Sequence, residues 1–238
     1  MNLIALTTST SHWSVWLHRQ DGWQRAAHAE AGRGTGQRAS LTRMVWQLLA
    51  EADLQPSDLQ RVVCDIGPGS FTGLRQGLAL ARALAWANAI PTHGVGSLQS
   101  MAWAVQSQLA TGQTCAVALP ARTDVDFVGL GDGAAFTERA LMQPDALAWW
   151  QEFRPDVLAI PAADLGRSLA KMALAQGAQW LELHPEAEAM GRWSLAQPAA
   201  TSTLAPRYLA VSEAENHAGV TIPEITVAAI DRSGGGAI

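Results

Sequence analysis

The stretch "RVVCDIGPGSFTGLRQGLALARALAWAN", Arg61–Asn88, sets a short apolar run against a glycine-rich turn and then a long segment of alanine and leucine. The run up to Ile66 reads as a strand buried on both faces, because its apolar residues follow one another without alternation. Gly67–Gly69 turn the chain, Pro68 stiffens the turn, and Ser70 is placed to cap a helix from Phe71 to Asn88 that ends before Pro91. As a phosphate loop the stretch fits poorly. It lacks the lysine of a Walker loop, and the third glycine of a dinucleotide fingerprint would stand at Thr72, one residue before Gly73. A launching turn is the preferred reading, and an anion held on the exposed N–H groups of the helix start stays open.

Outward from this stretch the chain reads as two similar units. "NLIALT", "HWSVWLH" and "WQRAAHAEA" are three strands with a turn at Gln20–Gly22, residues 31–38 are a flexible loop, and "ASLTRMVWQLLAEADL" has helical spacing. After the strand and helix above, "THGVG" leads into a further helix, "SLQSMAWAVQSQLA". The second half repeats the order: strands "TCAVALPA", "DVDFVGL" and "AAFTERAL", a helix "PDALAWWQEF", a strand "DVLAIPA" and a helix "DLGRSLAKMALAQGAQWL". Two β-β-β-α-β-α units in tandem predict an α/β protein of the actin-like, sugar-kinase and heat-shock-ATPase architecture. The expected lobes are residues 1–104 and 105–200, with 201–238 returning to the first lobe and ending in a disordered "SGGGAI" tail.

Composition bounds the function. The 238 residues are 48% hydrophobic and 16% charged, an ordinary globular balance, and the formal net charge of −5 argues against a nucleic-acid binder that relies on bulk electrostatics. Cys64 and Cys115 sit in apolar runs without a C-x-x-C pair, so both are expected as buried thiols. The start has no basic segment before its short apolar run, and no stretch approaches the roughly 20 apolar residues of a membrane span. A cytoplasmic protein without membrane contact is the expectation.

The chemistry expected of an actin-like phosphotransferase is incomplete. Such an enzyme places an aspartate at the end of its first strand to order Mg²⁺ around the nucleotide phosphates; here Thr7 stands there. The six histidines, His12, His18, His28, His93, His184 and His217, are scattered in sequence and receive no role, and no zinc pattern is present. "TTSTS", residues 7–11, has no nucleophile elbow around it and reads as a turn. The tryptophans read as core or interface residues. No catalytic residue, cofactor or metal is assigned.

The helix after the glycine turn is apolar nearly all round, broken by Arg75, Gln76 and Arg82, so it is either deep in a core or covered by another chain. Gly73, Gly77 and Ala81 make a stripe of small residues that permits close approach. Two readings of the stripe stand at this point. It packs on the chain's own helix around Leu41–Leu49, or both helices form a docking face.

The segment "GPGSFTGLRQGLALARALAWANAIPTHGVGSLQSMA" closely resembles the segment that marks the TsaB (YeaZ) family of tRNA threonylcarbamoyladenosine biosynthesis. "IALTTST" is similar to that family's opening strand, and "APRYLA" to its C-terminal Pro-x-Tyr-Leu-Arg element. The likeness is loose between residues 115 and 200. The resemblance implies a non-catalytic scaffold that pairs with TsaD, the subunit that transfers threonylcarbamoyl to the adenosine beside the tRNA anticodon. It also implies that TsaE joins the pair, that tRNA is met only through the complex, and that the chain forms a homodimer in isolation. The implied docking face comprises Leu41, Met44, Val45, Leu48, Gly73, Leu74, Gly77, Leu78, Ala81 and Arg82. Gly77→Leu is then expected to abolish pairing with little loss of folding. Three positions depart from the family pattern: Thr7 for an aspartate, Pro120-Ala121 where an aspartate is frequent, and Ala210 for an arginine. The alternatives are an independent actin-like ATPase or kinase, and a peptidase-like protein.

Overall fold

Strands β1 (Leu3–Thr7), β2 (His12–His18) and β3 (Gln24–Glu30) form an antiparallel meander. On the other side of β1, β4 (Arg61–Gly67) and β5 (Thr92–Gly96) add in parallel, giving the order β3-β2-β1-β4-β5. Helix α1 (Leu41–Glu51) joins β3 to β4, α2 (Phe71–Asn88) joins β4 to β5, and α3 (Ser97–Gln106) follows β5. The second half contains β6 (Cys115–Arg122), β7 (Val125–Gly131), β8 (Phe136–Met142), α4 (Gln143–Phe153) and β9 (Val157–Ile160). It continues with α5 (Ser168–Ala175), β10 (Gln179–Glu182) and α6 (Ala187–Leu195). Its sheet, β10-β9-β6-β7-β8, has the same order when taken from the other end. The fold is the duplicated, actin-like α/β arrangement. The computed structural model describes residues 1–31, 40–106, 108–122, 125–131, 136–164, 166–198, 202 and 204–207. Residues 32–38 of the expected loop at 31–38, Tyr208–Ala210 and the C-terminal tail lie outside them.

Each unit ends in a strand and a helix beyond the β-β-β-α-β-α order: β5 with α3, and β10 with α6. The sequence reading puts the helix at Ser97 but no strand in "THGVG". Parallel pairing with β4, Val62 opposite Thr92 and Cys64 opposite Gly94, draws that glycine-rich segment into the sheet. It also runs one helix from Asp164 through Leu181. The chain instead leaves α5 at Gln176 and turns at Gly177, whose φ of +89° is open to glycine, before β10 pairs with β9.

The two units exchange their last helices. One face of the first sheet packs Ile4, Leu6, Val15, Leu17 and Val62 under α1 and α2. The other packs Leu3, Ala5, Trp16 and Val63 under Ala187 and Met190 of α6, which comes from the second unit. In return α3 sets Leu98, Met101 and Val105 on Val117, Leu119 and Phe127 of the second sheet, whose far face is covered by α4 and α5. Trp103 of α3 and Trp193 of α6 stack in the shared layer with ring centroids 5.0 Å apart. Each fully buried leucine here contributes roughly 2 kcal/mol. Cys64 and Cys115 are free and buried, as expected. Beyond α6 the chain returns to the first unit: the Ser202 N–H donates to the Thr92 carbonyl at 2.7 Å, and Leu204 joins the core under α1 and α2.

Candidate functional site

The glycine turn is filled by the chain itself. A side chain at Gly69 would start 2.3 Å from the Ser9 carbonyl oxygen, and one at Gly73 would start 2.0 Å from that of Thr8. At Gly77 the Thr8 hydroxyl is 2.5 Å away. Gly73 and Gly77 of the stripe on α2 therefore accommodate Thr8 of the segment that leaves β1, and Gly69 of the turn accommodates Ser9. Ser70 caps α2 by accepting from the Gly73 N–H at 3.2 Å, as its position predicts. The Ser70 N–H donates to Ser9 at 2.6 Å, and Thr8 Oγ1 donates to the Gly73 carbonyl at 2.7 Å. Two of the N–H groups that the sequence leaves open to an anion are thus already bonded.

Behind the turn lies Asp65, 1% exposed, which the sequence reading passes over. Its Oδ1 accepts from Ser97 Oγ at 2.6 Å and from the Gly67 N–H at 2.8 Å, while Oδ2 accepts from Thr7 Oγ1 at 2.7 Å. Ser9 contributes a further side-chain hydrogen bond. Burial pushes the carboxyl above its ordinary range, and these donors pull it back. Thr7 thus stands where the family pattern puts an aspartate and donates to an aspartate on the neighbouring strand. A second carboxylate at position 7 would lie against the first, and like charges at that distance cannot both ionise. Asp65 ties β1, β4 and α3 together, and its bonding leaves little of it to offer a substrate.

Arg207 closes the other side. Its N–H donates to the Ile66 carbonyl at 2.6 Å, and its guanidinium stands beside Gly96, where an added Cβ would lie 3.0 Å from Nη1. The same guanidinium forms an ion pair with Glu138 of β8, so one side chain links the glycine turn to the second sheet. Burial raises the Glu138 carboxyl above its usual range, Arg207 opposes this, and Glu138 Oε2 has no hydrogen-bond partner. The only hint of this role in the sequence is the position of Arg207 within "APRYLA".

The ten residues of the expected docking face separate by helix side. Leu41, Met44, Val45 and Leu48 of α1 and Gly73, Leu74, Gly77, Leu78 and Ala81 of α2 are all buried. They are turned toward the chain's own first sheet and the segment after β1, so the face as drawn from the sequence is the inner one. Arg82 alone is exposed, and it donates to the Leu204 carbonyl. The outer side of α2 carries Arg75, Gln76, Ala79, Ala83, Trp86 and Ala87, and that of α1 carries Trp46. Trp86 is 87% exposed and Trp46 49%. Large aromatic side chains so placed are candidate anchors for a partner. Arg75 covers the Phe71 ring at 3.8 Å from its centroid. Three of the histidines that are scattered in sequence, His12, His28 and His184, meet at the outer strands of the first sheet. Among the described residues, no helix is long and apolar enough to cross a membrane.

The chain is similar to known proteins in sequence and in fold. The family model for TsaD, tRNA N6-adenosine threonylcarbamoyltransferase, matches residues 36–125. The tRNA threonylcarbamoyladenosine biosynthesis protein TsaB of Bacillus subtilis is 36% identical over 104 residues, 43% of this chain and 44% of that protein. The protein of the same name from Escherichia coli is 34% identical over 102 residues, 43% of each chain. The matched stretch therefore spans less than half the length of these relatives. A Pseudomonas aeruginosa structure, described as an uncharacterized protein with similarity to peptidase YeaZ, superposes with a TM-score of 0.66 at 26% identity. That superposition covers 88% of this chain and 99% of the other. The chain is thus similar to TsaB proteins over a stretch of just over 100 residues and to a YeaZ-like structure in fold over most of its length.

Proposed function

We propose that this chain serves tRNA threonylcarbamoyladenosine biosynthesis as a non-catalytic subunit that pairs with a TsaD protein through the outer side of α1 and α2. The observation that carries the reading is the exposure of Trp86 and Trp46 on helices whose inner sides are fully used by the chain's own core. Alanines at 79, 83 and 87 leave room beside Trp86 for a partner helix to approach. A tryptophan closed into a partner pocket is the kind of residue that dominates binding energy. TsaE joins the pair, tRNA is met through the complex, and the same face pairs two copies of the chain when TsaD is absent.

The absence of catalysis is supported by the occupied glycine turn. Asp65 is bonded by hydroxyls of its own chain, and Arg207 stands beside Gly67 and Gly96. The test is reconstitution: the chain, with TsaD and TsaE from the same organism, should restore threonylcarbamoyladenosine formation on tRNA. Alone it should turn over no ATP. Mg²⁺-dependent hydrolysis by the isolated chain, lost in Thr7→Ala, would overturn the non-catalytic reading.

A further inference from the structure

At the outer strands of the first sheet three elements bring ligand atoms close together. His12 begins β2, His28 lies on β3, and Glu186 immediately precedes α6. His12 Nε2 is 3.2 Å from His28 Nδ1 and 3.3 Å from Glu186 Oε1, and His28 Nδ1 is 3.6 Å from Glu186 Oε2. A zinc ion bound tetrahedrally at about 2.0–2.1 Å holds neighbouring ligand atoms about 3.3 Å apart; the two Glu186 contacts are made by different oxygens, and one ligand atom from each of the three residues lies within 4.8 Å of the other two.

The second nitrogen of His12 is also used. Nδ1 lies 3.1 Å from Glu30 Oε1, so its proton goes to that carboxylate and Nε2 is left as the inward lone pair. A carboxylate behind a histidine in this way fixes the ring and raises its basicity, as in metal sites. His184 stacks on the His12 ring at 4.6 Å, and its buried Nδ1 has no hydrogen-bond partner. The convergence of the two ring nitrogens and the carboxylate is what a cation would satisfy. A neutral His12 that donates from Nδ1 faces the Glu186 oxygen with Nε2, and both atoms can only accept. A second proton on His12, a proton donated by His28 Nδ1, or a metal ion supplies what Nε2 accepts, and of these the metal ion alone takes both ring nitrogens and the Glu186 carboxylate at once.

We propose that His12, His28 and Glu186 form a site for a zinc-class divalent cation, oriented by Glu30, that fastens the start of α6 to the outer strands of the first sheet. The clamp acts on the helix contributed by the second unit, so the ion joins the two halves of the chain at the start of β2, three residues after Ser9. The fourth position is left for water or for His184.

The experiment titrates Co²⁺ into the metal-free, full-length chain at neutral pH and then displaces it with Zn²⁺. The expected result is one equivalent of bound Co²⁺ with four-coordinate visible absorption. His28→Ala and Glu186→Gln should each weaken the affinity at least tenfold, and Glu30→Gln by about 10- to 100-fold. His18→Ala, at the far end of β2, should leave it unchanged. Zn²⁺ should raise the thermal midpoint of the parent but not of His28→Ala, whose exposed ring makes it a variant expected to fold. No stoichiometric Co²⁺ spectrum, or a spectrum and affinity unaltered in His28→Ala, would overturn the site. A thermal midpoint that rises on acidification and ignores Zn²⁺ would assign the cluster to a doubly protonated His12 instead and would equally overturn it.

Discussion

The two sides of α2 carry similar small and apolar residues and do opposite things. On the inner side Gly73, Leu74, Gly77, Leu78 and Ala81 are buried against the chain's own sheet and the segment after β1. On the outer side Ala79, Ala83, Trp86 and Ala87 face solvent. Apolar composition all round the helix signals two covered sides. It does not say which is covered by the chain and which is left for a partner. Only the position of the neighbouring backbone separates them, and here the Thr8 carbonyl decides.

The contrast is broken most severely from inside. Gly73→Val places a side chain on the Thr8 carbonyl, which is backbone and cannot swing away, so denaturant unfolding should show a loss above about 3 kcal/mol. Gly77→Leu meets the Thr8 hydroxyl, which is held by its bond to the Gly73 carbonyl. It should disturb folding itself, contrary to the expectation that it acts on pairing alone. Next comes Asp65→Ala, which strands the hydroxyls of Thr7 and Ser97 and the Gly67 N–H, a loss of about 3 kcal/mol by the same measurement.

Asp65 also carries a pH signature. Because burial raises its folded pKa, the unfolded chain releases the proton first. Its contribution to stability is therefore fully present below the ordinary aspartate pKa of 3.8 and falls as pH rises toward the folded value. The stability of the parent relative to Asp65→Asn should decline over that window and then level off. A difference flat across the window would show that Asp65 does not titrate abnormally.

Arg207→Met removes the link between the turn and β8 and leaves Glu138 buried without its cation. Because Arg207 is 27% exposed, the expected loss is about 1–2 kcal/mol, less than for a fully buried pair. The smallest change in stability belongs to the outer side: Trp86→Glu should stay within about 0.5 kcal/mol of the parent in thermal unfolding.

Much of the scaffold is legible in the sequence because its signals are local. The alternating "HWSVWLH", the turn at Gln20–Gly22, the cap at Ser70 and the periodic leucines of α1 each identify an element without knowledge of its neighbours. β5 and β10 carry no such signal. "THGVG" and "QWLE" become strands through pairing with β4 and β9, a tertiary effect that overrides weak propensity. The exchange of α3 and α6 is equally invisible, since nothing in an amphipathic pattern names the sheet a helix will cover.

The site was less legible than the scaffold. A lone aspartate in an apolar run, as at Asp65, is a signal that the eye can use, because a buried carboxylate demands donors nearby. The donors themselves, at Thr7, Ser9 and Ser97, are distant in sequence, and so are His12, His28 and Glu186. The docking face went to the inner side because a helical pattern shows where apolar residues cluster, and the densest cluster is the one the chain buries for itself.

The most direct test of the account compares the parent chain with Trp86→Glu for binding to purified TsaD from the same organism by isothermal titration calorimetry, with thermal unfolding of both proteins run alongside. The account predicts matching unfolding curves and a loss of affinity of at least a hundredfold, as expected for a central aromatic anchor. Undiminished TsaD binding by a fully folded Trp86→Glu chain would contradict it.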